Sequence, residues 1–110
     1  MLAQAEQTSD YLKALSHPTR LVILCRLAEG TANVGELEAL LELPQAAVSK
    51  QLARLRAEGL VVCRRDGRNV FYSLGDARTE RIIGALYTEF CAPGAAAPAG
   101  AAGVAPAPRP

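Results

Sequence analysis

The chain is poor in the residues that build most catalytic and metal centres. Histidine occurs once, at His17, and cysteine three times, at Cys25, Cys63 and Cys91. There is no Cys-x-x-Cys pair and no Cys/His cluster with zinc-ligand spacing. Three separated cysteines in a chain read as cytoplasmic do not make a disulfide framework. A Ser/His/Asp set and a phosphate-cradling glycine loop are also missing, which argues against an enzyme; a thiol peroxidase would need turnover at Cys25 with no histidine partner indicated by any motif. No apolar run approaches the roughly 20 residues of a membrane span. The start, MLAQAEQTSD, lacks the basic-then-apolar order of a signal peptide, so a cytoplasmic location is expected.

Net charge is also nearly absent, at +1, but it is unevenly spread. Between Lys50 and Arg81 lie eight basic and four acidic residues, a net +4, whereas 29–42 carries four acids and no base. Such polarity suits a surface offered to phosphates, and it equally suits solvated helix faces. The 110 residues, half of them apolar, suffice for one domain, and a domain this small buries its core more easily as a dimer.

Periodicity supplies the architecture. Residues 1–7 read as frayed, and a first helix is expected over about 8–15 with Tyr11, Leu12 and Leu15 on one face. Ser16 or His17 can cap a second helix, with Pro18 in its first turn, where a missing N–H costs nothing. Leu21, Leu24, Cys25 and Ala28 keep the rhythm of a buried stripe, and Gly30 ends it. A short helix over 34–41, with Val34, Leu37, Leu40 and Leu41 inward, and a longer one over about 44–58, with Val48, Leu52 and Leu55 inward, form a helix-turn-helix pattern stopped by Gly59. Two β-prone runs, 60–65 and 68–74, then flank Asp66-Gly67, a strong hairpin signal. A last helix is expected from Gly75-Asp76 to about Cys91, with more apolar surface than an end helix needs alone. Residues 1–92 therefore read as one domain, mainly α with a β-hairpin wing: a homodimeric winged helix-turn-helix. From 93 to 110 the chain is almost all Ala, Gly and Pro and reads as a disordered tail.

On the fourth helix Gln45, Ala46, Ser49, Lys50, Gln51 and Arg54 are expected to face outward. Small residues at its start admit it to a major groove, and the polar ones supply contacts to bases and phosphates. Arg64, Arg65 and Arg68 would hold backbone or minor groove from the hairpin. The expected partner is double-stranded operator DNA; a winged helix that binds only protein is the alternative reading.

Several segments together resemble the ArsR/SmtB family of repressors: Leu12-Lys13-Ala14-Leu15-Ser16-His17-Pro18-Thr19-Arg20-Leu21, Val34-Gly35-Glu36-Leu37, Ala47-Val48-Ser49-Lys50-Gln51-Leu52 and Leu55-Arg56-Ala57-Glu58-Gly59-Leu60-Val61. The resemblance spans about 8–91. It implies a homodimer paired through first and last helices, a dyad-symmetric operator, and an inducer that releases DNA. The family's usual metal positions lack their ligands: 34–38 holds no thiol and the last helix no histidine. No metal or other cofactor is therefore expected. Cys25 in Ile23-Leu24-Cys25-Arg26-Leu27 and Cys91 in Tyr87-Thr88-Glu89-Phe90-Cys91 resemble the cysteine pair of the sulfide-responsive BigR/SqrR branch. That resemblance implies bridging of the two thiols by reactive sulfur species such as persulfides. Lys50 departs from the branch, where a second Gln is common. Cys63 reads as a strand residue without a sensing role. A cysteine-based metalloid sensor and a repressor forming a simple disulfide stay open, as does inert packing of Cys25.

Overall fold

The computed structural model describes residues 1–91; the tail expected over 93–110 falls outside them. Helix α1 runs Leu2–Leu15, so 1–7 are not frayed as expected. Its Ala, Gln, Glu and Leu are good helix formers, and neither Gly nor Pro interrupts it. It buries only Ala14 and Leu15. Leu12, expected inward, is 55% exposed. The Tyr11 hydroxyl donates to Thr79 Oγ1 at 3.2 Å, tying α1 to the last helix.

His17 takes the extended cap position of α2 (Pro18–Ala28), though its side chain makes no cap bond. Ile23, Leu24 and Leu27 are the buried residues of this helix; Leu21, Cys25 and Ala28 sit at the margin of the stripe rather than its centre. A two-residue strand β1 (Ala32–Asn33), unforeseen in the sequence, then leads into α3 (Val34–Leu41). Asn33 Oδ1 accepts from the Glu36 N–H at 2.8 Å while Glu36 Oε1 accepts from the Asn33 N–H at 2.9 Å, a complete capping box. Leu37 is fully buried, Val34 and Leu41 pack partly, and Leu40 turns out to solvent at 50% exposure, against expectation.

Helix α4 (Gln45–Ala57) inserts Val48, Leu52 and Leu55 into the core, each at most 1% exposed. It ends as its sequence requires, with Gly59 at φ +76°. Strands β2 (Val61–Asp66) and β3 (Asn69–Leu74) pair antiparallel, and β1 adds to the other edge of β3. Asp66 pairs with Asn69, so the hairpin loop is Gly67-Arg68, one residue later than expected. Gly67, at φ +65°, stands first in that loop, where a type II′ turn wants glycine. At the base of the wing Gly75 donates to the Leu60 carbonyl at 2.9 Å, and a Cβ on Gly75 would lie 2.1 Å from the Gly59 carbonyl oxygen. Only glycine permits that approach, which fixes the wing against the end of α4.

Helix α5 covers Ala77–Leu86, capped by Asp76, whose Oδ1 accepts from the Thr79 N–H at 2.8 Å. The expected continuous α-helix to Cys91 gives way at Tyr87–Cys91 to a π-helical turn. Its wider winding carries Phe90 and Cys91 to the edge of α1 and α2. Among the described residues no helix is long and apolar enough to cross a membrane.

Candidate nucleic-acid interface and thiol site

Gln45, Ser49, Lys50 and Arg54 are exposed on α4, as expected. Gln51 is not fully outward: it is half-buried, and its amide oxygen is buried with no partner. The i, i+3 spacing from Val48 to Gln51 rolls it toward the inner stripe. Arg64 and Arg65 are exposed on β2, with the Arg64 guanidinium 5.9 Å from the centre of the Phe71 ring directly across the ladder. Arg68, in the loop itself, meets Gln45 at the start of α4 and Asn33, Val34 and Gly35 at the start of α3 around a cavity of about 300 Å³. The wing tip and the start of the second helix of the motif therefore border one cleft. Among the described residues the only ion pairs within 4.0 Å are those of Arg26, so the basic side chains of α4 and the wing are unpaired there.

The two cysteines singled out in the sequence come together. Cys25, half-buried on α2, and Cys91, exposed at the end of the π turn, line one cavity of about 350 Å³ with Leu12, Leu15, Ser16, Leu21, Leu86 and Phe90. Both are free thiols. Burial pushes the Cys25 thiol up to about 12, helped by its neighbour Cys91 and then by the Glu29 carboxylate. Cys63 pairs across the ladder with Tyr72 and does not line this cavity. No group of three or more His, Cys, Asp or Glu side chains among the described residues could hold a metal ion.

One connection had no counterpart in the sequence reading. The Tyr87 hydroxyl, at the start of the π turn, donates to Glu29 Oε2 at 2.8 Å, and that bond raises the tyrosine pKa. Glu29 Oε1 lies 4.0 Å from Arg26 Nε, and Arg26 Nη2 lies 3.8 Å from Glu36 Oε2. Glu36 closes the capping box of α3. The thiol-bearing turn is thus linked through Glu29 and Arg26 to the start of the helix-turn-helix. Only its last member was legible locally, as Asn33-x-x-Glu36 spacing.

Residues 17–62, from the cap of α2 into β2, match the model of the family described as bacterial regulatory protein, arsR family. The chain is 45% identical over 93 residues to a biofilm growth-associated repressor of Agrobacterium fabrum, an alignment covering 84% of this chain and 80% of that protein. The chain belongs to the arsR family. The solved structure of the transcriptional repressor BigR from Xylella fastidiosa superposes on this arsR-family chain with a TM-score of 0.78 at 43% identity, covering 83% of this chain and 90% of that one. The transcriptional activator HlyU of Vibrio cholerae is 42% identical over 80 residues, covering 73% of this chain and 74% of that protein. As an arsR-family winged helix-turn-helix, the chain is a DNA-binding regulator and not an enzyme. Dimerisation is consistent with these relatives, and Leu12 and Phe90, 55% and 61% exposed, offer α1 and the π turn an apolar face to pair with.

Proposed function

We propose that this arsR-family regulator is a homodimeric repressor that holds a dyad-symmetric operator through α4 and the wing and releases it when reactive sulfur species join Cys25 to Cys91. The observation that carries the reading is the shared cavity, which puts two free thiols from distant parts of the chain on one wall. Gln45, Ser49, Lys50 and Arg54 face bases and phosphates in the major groove, with the exposed part of Gln51 beside them. Arg64, Arg65 and Arg68 grip the flanking backbone or minor groove.

The chemistry divides by exposure. Cys91, open to solvent, attacks the sulfane sulfur first. Cys25, half-buried and protonated at neutral pH, closes the bridge. Two persulfides and the two thiols give a trisulfide bridge, two carrier thiols and one hydrogen sulfide, which balances atoms and electrons. Each inserted sulfur adds roughly 2 Å of reach, so a polysulfide spans gaps that a direct disulfide does not. Inserting sulfur between the two adjacent thiols shifts the π turn on α2 and with it the Tyr87–Glu29 bond. Arg26 and the Glu36 cap then shift, and α3 and α4 lose the orientation that fits the operator.

The test is peptide-mapped intact mass of the reduced protein after glutathione persulfide or hydrogen peroxide, with an operator-shift assay on each sample. A Cys25–Cys91 link carrying added sulfur, with operator binding lost in the persulfide sample alone, is the expected result. Equal linkage by peroxide would make this a general thiol-redox repressor. Stoichiometric arsenite or cadmium binding by the reduced protein, with loss of operator affinity, would make it a thiolate metalloid sensor.

A further inference from the structure

The thiol cavity differs in chemistry from the cleft beside the wing and from the cleft bordered by α2 and α5. Apart from the two thiols and the Ser16 hydroxyl, its wall is hydrocarbon, from Leu12, Leu15, Leu21, Leu86 and Phe90. No charged side chain lines it. The cleft beside the wing, by contrast, carries Arg68, and the one bordered by the end of α2 and by α5 carries Glu29 and Glu80. After burial and its neighbour Cys91, the Glu29 carboxylate also raises the Cys25 pKa. The adjacent cation, Arg26, is committed to Glu29 and Glu36. An anion entering this cavity therefore gives up hydration, finds no partner, and approaches a carboxylate. An apolar molecule gains contact with five hydrocarbon side chains. The volume, about 350 Å³, falls at the small end of the roughly 300–1,000 Å³ typical of small-molecule sites.

We propose that the cavity selects its sulfur donor by polarity, taking uncharged polysulfides with short hydrocarbon arms, such as dialkyl trisulfides, over anionic carriers. This rests on the reading of Cys25 and Cys91 as a sulfur-responsive pair. The step balances with the trisulfide as oxidant. The Cys91 thiolate attacks the central sulfur of R–S–S–S–R, forming a mixed trisulfide and expelling one alkyl thiolate. Cys25 then attacks the same central sulfur, expels the second alkyl thiolate and passes its proton to it. The products are a Cys25–S–S–S–Cys91 bridge and two alkyl thiols. The hydrocarbon arms lie on Leu15, Leu21 and Leu86 while the sulfur chain reaches both thiols.

The full-length reduced protein is treated with dipropyl trisulfide or with bis(2-carboxyethyl) trisulfide, which carries the same sulfur chain between two carboxylates. Each rate is divided by that of the same reagent with 2-mercaptoethanol, which removes intrinsic reactivity. Peptide mapping locates the bridge as a gain of one sulfur and loss of two hydrogens. The normalised rate is expected to be at least about tenfold higher for the dipropyl reagent. Ser16→Lys, at an exposed polar position on the cavity rim, should narrow or reverse that preference. Equal normalised rates in the unmodified protein, with the bridge formed, overturn the carrier preference and leave the thiol pair as sensor. No bridge with either trisulfide or with glutathione persulfide overturns the sulfur-responsive reading and this inference with it.

Discussion

Replacing Tyr87 by Phe removes one hydroxyl and nothing else, which isolates the link between the thiol-bearing turn and α2. In the reduced protein that hydroxyl donates to Glu29 at 2.8 Å. Solvent competes for this exposed bond, so its loss should be felt as a change of only a few-fold rather than orders of magnitude. If the bond favours the DNA-binding arrangement, Tyr87→Phe should lower operator affinity of the reduced protein roughly two- to fivefold. If bridging breaks the bond, as the proposed relay requires, the bridged variant should bind as the bridged parent does, so the ratio between the two states shrinks. Fluorescence anisotropy with a labelled operator duplex, before and after persulfide, reads both affinities, and thermal unfolding reports any general loss of stability. An unchanged ratio, with reduced and bridged affinities both as in the parent protein, would refute the relay.

Three further outcomes follow from particular contacts. Bridge closure should accelerate with pH about tenfold per unit from 7 to beyond 9: the thiolate of Cys25 is the attacking form, and its pKa lies near 12, chiefly from burial that persists after Cys91 is modified. A rate plateau near 8.5 in stopped-flow mass analysis would show an ordinary thiol instead. Gly75→Ala forces a methyl into the Gly59 carbonyl and should cost roughly 1–3 kcal/mol in denaturant unfolding, displacing the wing as well; an unaltered midpoint would contradict the close approach. Arg68→Ala should weaken specific and random DNA alike and lower the salt slope by about one, whereas Ser49→Ala should cost affinity for the operator in particular. Equal effects of both substitutions on both DNAs would defeat that division.

The parts legible in the sequence are those set by local rules. The stripe of Val48, Leu52 and Leu55, the glycine ending α4 and the Asp76 cap depend on a few adjacent residues and are where their spacing puts them, while the Asp-Gly signal gave the hairpin with its loop displaced by one residue. The misplacements concern context. Leu12 and Leu40 are apolar residues at helical spacing, and periodicity does not distinguish a face turned to the core from one left outside it. Residues 2–7 form helix through propensity without burial, so no apolar pattern announced them. Gln51 sits at the margin between the inner stripe and the exposed face, where a one-residue roll decides its burial. Glu29 and Tyr87 are 58 positions apart, and no local rule pairs them. The cysteine pair was reached through family resemblance; its shared cavity needed the π turn, which the α-helical period conceals.

In the proposed function, joining Cys25 to Cys91 is the event that releases the operator. Operator affinity should therefore be measured for the parent protein, Cys25→Ser and Cys91→Ser, each reduced, persulfide-treated, and treated then returned to dithiothreitol. All three are expected to bind tightly when reduced, the parent alone to lose the operator on treatment, and its binding to recover fully after reduction. Release of either serine variant by persulfide, or retention of the operator by a parent protein shown by mass to be bridged, would contradict it.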